Sequence, residues 1–326
     1  MLAAAGYFLW RVIRSIGWVE LRDQIYASDG RWTAIALVLL VLRFVVWDFR
    51  WRMAFRRLDT PPGPLHTFFS LLASACANTL TPAARLVGGL LRARHVSGPT
   101  RTFGRVFGVV FFDQMVHQVV MFLSGWVAFV GMALLLGHRV LGLAAAAALV
   151  VAAAIFAYWS GRLDEARVER LAEWAARRSG MGGSPLRGVY LHGSEAVRVV
   201  RRLLDDGALR RAALLLTLVY VVLNGLAQWA LFRAIASPVD LLTVFLGVAA
   251  GTAAGAFTGT PGGAGTTEAG MILAYAALEV PKMQASAATI FYRALHYLVI
   301  LALGLPALGV FEARLRRRRG GGELLP

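Results

Sequence analysis

Residues 241–268 run Leu-Leu-Thr-Val-Phe-Leu-Gly-Val-Ala-Ala-Gly-Thr-Ala-Ala-Gly-Ala-Phe-Thr-Gly-Thr-Pro-Gly-Gly-Ala-Gly-Thr-Thr-Glu. An apolar segment, 241–259, meets a cluster of helix breakers at Thr260-Pro261-Gly262-Gly263, and a second apolar segment, 265–279, begins directly behind it. Proline removes a helical hydrogen bond and glycine frees the backbone, so this stretch is not a plain span. A similar interruption closes segment 65–80, which ends at Thr81-Pro82. These two breaks decide the fold, because broken helices inside a bilayer survive only where protein or a water-filled cavity covers their freed backbone groups.

Composition supplies the bilayer. Of 326 residues 58% are hydrophobic and 16% charged, too apolar a balance for a soluble domain of this size. The net charge is +16, and every cation except Lys282 is arginine. Because the arginines flank apolar runs, the anion they face is lipid phosphate rather than nucleic acid. One cysteine, Cys76, excludes an intramolecular disulfide and a cysteine-based zinc site. No removable signal peptide is evident at the N-terminus, and no cofactor or metal is expected.

A hydrocarbon core about 30 Å thick needs about 20 apolar residues per helix, which places spans at 32–47, 106–136, 140–160, 212–236 and 287–311. Residues 1–18 are either a half-span or an interfacial helix, since Arg11 and Arg14 interrupt them. Segment 161–211 carries eleven arginines and seven carboxylates, with Leu163, Val168, Leu171 and Trp174 on one helical face, and reads as a cytoplasmic amphipathic loop broken at 180–185. Were 65–80 to cross fully, it would put either Arg50, Arg52, Arg56 and Arg57 or Arg85, Arg92, Arg94, Arg101 and Arg105 on the outer side, against the positive-inside rule. Re-entrant hairpins at 65–95 and 241–279 remove that conflict and deliver the arginine tail, 313–326, to the cytoplasm. The expected fold is therefore an all-α polytopic membrane bundle. Its two hairpins enter from opposite faces, and each follows one span and precedes another, as in an inverted repeat. The first repeat with an extra helix occupies 1–160 and the second 212–312, within one domain.

Candidate residues cluster at the breaks. Pro261, Gly262, Gly263 and Gly265 allow backbone amides to approach a ligand, and the helix dipole behind them suits phosphate. Glu268 could balance a cation, bind a proton or cap its own helix. Gly247, Gly251, Gly255 and Gly259 recur every four residues, a packing stripe. After Pro82 come Arg85, Gly88, Gly89, Arg92 and Arg94. Arg85 and Arg92, seven apart, share a helical face and could jointly hold a phosphate, or could snorkel to headgroups like other positive-inside arginines. Asp113 and His117 lie four apart in an apolar span, suited to a proton relay or to a hydrogen-bonded packing pair. Arg293 is expected to pair with Glu268 or Asp113, and Arg43, near the Trp47 end of its short helix, to snorkel. Nucleotide-binding and hydrolase motifs are absent from the sequence.

At these motifs the chain resembles the lysylphosphatidylglycerol synthase transmembrane family, a flippase-like membrane domain. The likeness rests on Trp51-Arg52, on Ala77-Asn-Thr-Leu-Thr-Pro82 followed by Arg85, Gly88-Gly89 and Arg92, and on Thr260-Pro-Gly-Gly-Ala-Gly265 with Glu268, Pro281, Ala-rich 285–288 and Arg293. It implies a lipid flippase-like transporter in the cell membrane that moves an anionic or aminoacylated phospholipid, or a polyprenyl-phosphate-linked lipid, between leaflets. Where relatives often carry a carboxylate after the first glycine pair, this chain has Leu90 and Leu91. No synthase domain follows residue 311, so a stand-alone member is expected. A membrane transferase acting on a lipid-phosphate donor and a non-catalytic scaffold remain the alternatives. A lipid-synthesis enzyme and a second copy of the chain are conceivable partners.

Overall fold

The computed structural model describes residues 18–58, 62–81, 86–98, 100–160, 184–258 and 260–320. The expectations for residues 1–17 and for the apolar face at Leu163–Trp174 fall outside them. The described chain is helical: α1 (Trp18–Tyr26), α2 (Gly30–Arg56), α3 (Pro64–Leu80), α4 (Leu86–Val96), α5 (Phe103–Leu135), α6 (Arg139–Ser160), α7 (Ser184–Asp205), α8 (Gly207–Ala234), α9 (Leu241–Thr258), a 3₁₀ turn at Pro261–Gly263, α10 (Thr266–Ala277) and α11 (Lys282–Gly320).

Among the described residues four helices are long and apolar enough to cross a membrane: Gly30–Arg56, Phe103–Leu135, Gly207–Ala234 and Lys282–Arg314. They match four of the five expected spans, with α5 and α8 ending one and two residues before the expected C-terminal ends. The fifth, 140–160, lies in α6, whose described apolar stretch, Arg139–Val151, is shorter. α2 continues beyond its apolar run, past Trp47 through Asp48, Arg50 and Arg52.

Local signals start these helices where the sequence offers them. Asp29 accepts the amide of Arg31 at 2.8 Å to open α2, and Asp206 accepts that of Leu209 at 2.8 Å to open α8. Asp240 takes the amide of Thr243 at 2.9 Å ahead of α9. Each satisfies a donor that has no partner within its helix. Pro64 enters α3 at its first turn, where a missing N–H costs nothing.

Packing is reciprocal. α2 lies along α8; α11 covers α3, the helix that ends at the first break; α5 covers α9, the helix that ends at the second. The pairs α3–α4 and α9–α10 each fold back on themselves. One core gathers Leu40, Phe44, Leu71, Leu231, Met271 and Tyr275 between these elements, and a second gathers Trp51, Phe55, Val109, Phe112, Val199 and Leu203. The outward faces stay apolar, for example at Val38, Val127, Leu215 and Leu298, as expected of surface that meets acyl chains.

Segment 161–211 is not only a loop. Its second part forms α7, which buries Ala196, Val199 and Leu203 against α5, and α8 already begins at Gly207. Close approach is possible because α5 presents glycine: a Cβ on Gly108 would lie 2.8 Å from the carbonyl oxygen of Ala196. The expected glycine stripe serves the α9–α10 contact in the same way. Gly247 abuts Tyr275, Gly251 abuts Met271 and the Thr267 carbonyl, and Gly255 abuts Thr267.

Candidate functional site

Among the described residues, three of the buried polar clusters bear on the helix breaks and their surroundings. In the first, Asp113 of α5 is 1% exposed and accepts from two arginines: Arg50 Nε at 2.8 Å on Oδ1 and Arg92 Nη2 at 3.1 Å on Oδ2. Trp47 Nε1 adds a third donor at 2.8 Å. Arg50 also donates to Thr217 Oγ1 at 2.6 Å, and the Arg92 guanidinium stacks over Trp51 at 4.6 Å. Burying a lone charge in this setting is prohibitive, so a carboxylate shared between two guanidiniums and an indole is what lets α2, α4 and α5 keep charge inside. Arg92 is fully buried, and its Nε and Nη1 have no hydrogen-bond partner among the described residues. Beside it, Asp48 accepts from Thr67 Oγ1 at 3.2 Å, while its second oxygen has no hydrogen-bond partner among the described residues.

The second cluster corrects the sequence expectation for Arg43. Instead of snorkelling, Arg43 is 2% exposed and points inward, donating through Nη1 to Asn224 Oδ1 and to Tyr292 Oη at 3.1 Å, and through Nη2 to His296 Nδ1. The physical reason is helix length: α2 runs on to Arg56, so Arg43 sits mid-helix, with no short route to the surface. Its guanidinium lies 5.0 Å from the Phe44 ring and 5.6 Å from the Tyr220 ring. No carboxylate pairs with it among the described residues.

The third cluster joins the second break to α11. Glu268, in the first turn of α10, accepts from Arg293 Nε at 2.7 Å rather than capping its own helix. Of the two partners expected for Arg293, the fold selects this one. Arg293 Nη2 donates to the Gly262 carbonyl at 2.9 Å and reaches Tyr297 Oη as well. The turn itself requires glycine, since Gly262, Gly263 and Gly265 have φ of 57°, 70° and 80°, the left-handed region that side chains avoid. The tips of the two broken segments touch here: a Cβ on Gly262 would lie 3.4 Å from Thr79 Cα.

Between these tips lies a cavity of about 190 Å³. Thr79 and Thr81 come to it from the end of α3, Gly262 and Gly263 from the turn, and Arg43, Asn224, Arg293 and His296 from the second and third clusters. Its basic lining side chains are Arg43, His117, Arg293 and His296, beside the phenols of Tyr220 and Tyr292, with no carboxylate among the described residues. Trp47 forms part of the wall and separates the cavity from Asp113, stacking on His117 at 5.3 Å. The volume suits a headgroup fragment or a few waters rather than a whole lipid.

The sequence candidates divide accordingly. Gly262, Gly263, Arg293 and His117 line the cavity, Glu268 stands behind Arg293, and Pro261 and Gly265 shape the turn. Asp113 and Arg92 form their own cluster beyond Trp47, so Asp113 and His117 share a helix face but point into different surroundings. Gly88 packs on Ser74 and Asn78, Gly89 on Gln114, and Arg94 ends α4 away from the cavity. Pro82 and Arg85 lie outside the described residues. Sequence reasoning missed Asp48, Arg50, Asn224, Tyr292 and His296. The signal was there for the last two, which stand four apart in an apolar span and share a helix face with each other, and for Asn224 in the middle of another.

Long apolar helices around an arginine-bearing polar interior, with a cavity at two helix breaks, define a polytopic membrane protein. Comparison with known families agrees: residues 1–304 match the family described as the lysylphosphatidylglycerol synthase TM region, and the chain belongs to that family, whose members are membrane proteins connected with lipid handling. It is also similar to a UPF0104 membrane protein of Methanothermobacter thermautotrophicus, 23% identical over 310 residues that cover 92% of this chain and 91% of that protein.

Proposed function

We propose that this protein moves a phosphate-bearing lipid between leaflets, passing the headgroup through the cavity while the acyl chains stay in the bilayer. The observation that carries this reading is a cavity at two touching helix breaks, lined by arginine and by no carboxylate among the described residues. A charged headgroup crossing bare hydrocarbon faces a large desolvation cost, and fixed donors at mid-membrane lower it. In this reading α3–α4 and α9–α10 are re-entrant hairpins entering from opposite faces, and the two halves form an inverted repeat. Two features support that arrangement. The returning arms, α4 and α10, have 11 and 12 residues, which at 1.5 Å each is roughly half the hydrocarbon core. The clamping of each hairpin by the closing span of the other half is the packing that a two-fold axis in the membrane plane produces.

Arg43 and Arg293 hold the phosphate at the centre. Arg85 and Arg94 form the approach on the first hairpin, and Arg92, fully buried beyond Trp47, braces that hairpin from within. Glu268 keeps Arg293 aimed at the turn, and Asp113 anchors Arg92. The arginine tail lies in the cytoplasm, as the positive-inside rule asks.

The test is headgroup translocation in proteoliposomes with reporter phospholipids, comparing wild type, Arg92→Ala, Glu268→Gln and Arg293→Gln at matched reconstitution and orientation. Loss of transport in Glu268→Gln and Arg293→Gln, with the proteins still folded, is the expected result. Equal movement in all four proteins, or no movement of any lipid by wild type, refutes it.

A further inference from the structure

The polar atoms of the cavity are sorted by role. Arg43 can only donate, so the atoms it touches must accept. That fixes Asn224 with its amide oxygen toward Arg43 and places the ring proton of His296 on Nε2. Tyr292 Oη, which accepts from Arg43, gives its own proton to the same Asn224 oxygen. The acceptors of this cluster are thus consumed internally. What remains is a net positive charge and the Arg43 Nε–H, which has no hydrogen-bond partner among the described residues, a patch complementary to an anion that only accepts.

Another part of the lining is complementary to something else. Thr79 Oγ1 donates to the Ala75 carbonyl at 2.9 Å, Thr81 Oγ1 to the Ala77 carbonyl at 2.7 Å, and Thr252 Oγ1 to the Val248 carbonyl. A hydroxyl has one proton, so each of these three keeps only lone pairs free. All three residues line the cavity. Lone pairs in a wall without a carboxylate receive hydroxyl groups, whereas an ammonium there faces Arg43 with no counter-charge of its own.

Resting on the proposed transport of a phosphate lipid, we infer that the site selects a headgroup whose phosphodiester is its only charge and whose remainder is a neutral polyol, and that it discriminates against aminoacylated and other cationic headgroups. The charge count agrees. Glu268 neutralises Arg293, leaving Arg43 as the uncompensated cation at the cavity, which is balanced by one phosphodiester.

The experiment compares phosphatidylglycerol, its lysylated form and phosphatidylcholine as reporters in the same proteoliposomes. Phosphatidylglycerol is expected to move at least about tenfold faster than either, a difference that corresponds to about 1.4 kcal/mol. In Arg43→Gln that preference is expected to collapse, and in Arg43→Lys, which keeps the charge, to be partly retained. Equal or faster movement of the lysylated or choline lipid overturns the inference while leaving the transport reading intact.

If no lipid moves, the transport reading fails. The site is then tested alone, by the quenching of intrinsic tryptophan fluorescence as short-chain phosphatidylglycerol, its lysylated form or free glycerol phosphate is added to detergent-solubilised wild type. Tighter binding of the short-chain phosphatidylglycerol than of either alternative upholds the assignment. Equal binding of free glycerol phosphate overturns the lipid as the source of the anion, and equal binding of the lysylated form overturns the charge rule.

Discussion

Replacing Asp113 by asparagine should destabilise the protein by more than the loss of an ordinary hydrogen bond. The wild-type carboxylate receives Arg50, Arg92 and Trp47, with the two arginines 2% and 0% exposed. Asparagine offers a single oxygen, and its amide N–H₂ would face a donor on the other side. Two guanidiniums would then share no negative charge at 2.8–3.1 Å. Breaking one partner out of a buried ion pair costs about 3–5 kcal/mol, out of a total stability of about 5–15 kcal/mol. At about 2 °C per kcal/mol for a chain of this size, the midpoint should fall by about 6–10 °C. The protein carries its own reporter: Cys76, its one cysteine, is 0% exposed, so a maleimide dye that fluoresces on reaction reads unfolding during a thermal ramp in detergent. Removing Arg92 as well, as Asp113→Asn/Arg92→Met, should recover part of the loss, since one uncompensated charge leaves with it. A single Asp113→Asn variant within about 2 °C of wild type by this assay would refute the idea that this carboxylate anchors the interior charge.

Gly251→Ala should loosen the second hairpin, because its Cβ would lie 2.2 Å from Met271 Cγ and 2.7 Å from the Thr267 carbonyl, and backbone cannot step aside; a loss of about 1–3 kcal/mol in the same thermal assay is expected. Asp240→Ala should remove a helix cap worth about 1 kcal/mol. The hydrogen bonds from Thr243 hold the Asp240 carboxyl below its ordinary range, so its contribution is present above the unfolded-state value and is lost as pH falls through the folded-state value; the variant's deficit should therefore be full at pH 7 and shrink on acidification, as paired thermal ramps would show. Cysteines at Thr79 and Gly262 in a Cys76→Ala background stand close enough to join, given 3.4 Å between a Cβ at 262 and Thr79 Cα, and comparing the same variant oxidised and reduced separates the cross-link from the strain of a side chain at φ 57°. Oxidation should block translocation and reductant restore it, and unimpaired movement in the cross-linked protein would mean that the tips need not part.

The breaks were legible in the sequence because proline and glycine act locally. Thr81-Pro82 and Pro261–Gly263 could be located without knowing any neighbour, and the helices on either side of them, 64–80, 86–96, 241–258 and 266–277, fall within a few residues of expectation. The interior charges were less legible. A hydropathy window treats Asp48, Arg50 and Arg52 as the end of a span, yet α2 carries them into the bundle, where Asp113, 63 positions from Arg50, makes burial tolerable. Nothing in a local window encodes that partner. Arg43 was misjudged for the same reason, since its acceptors Asn224, Tyr292 and His296 lie 181 to 253 residues away. Glu268 and Arg293, 25 residues apart across one turn, could be paired from sequence because their helices adjoin in the chain.

The clamping of α3 by α11 also sets an order of events at the ribosome. The first helix pair is complete by residue 96, but the helix that covers it begins at Lys282. At about 5–20 residues per second, the intervening stretch of roughly 200 residues takes about 10–40 s to synthesise. Throughout that time Thr79 and Thr81, which finally line the cavity with residues of α9 and α11, face lipid or an escort instead of those neighbours. The nascent chain should therefore depend on membrane-insertion machinery that can hold a half-finished polar helix pair, and a translation stall anywhere between the two halves should send the product to proteolysis rather than leave a functional first half.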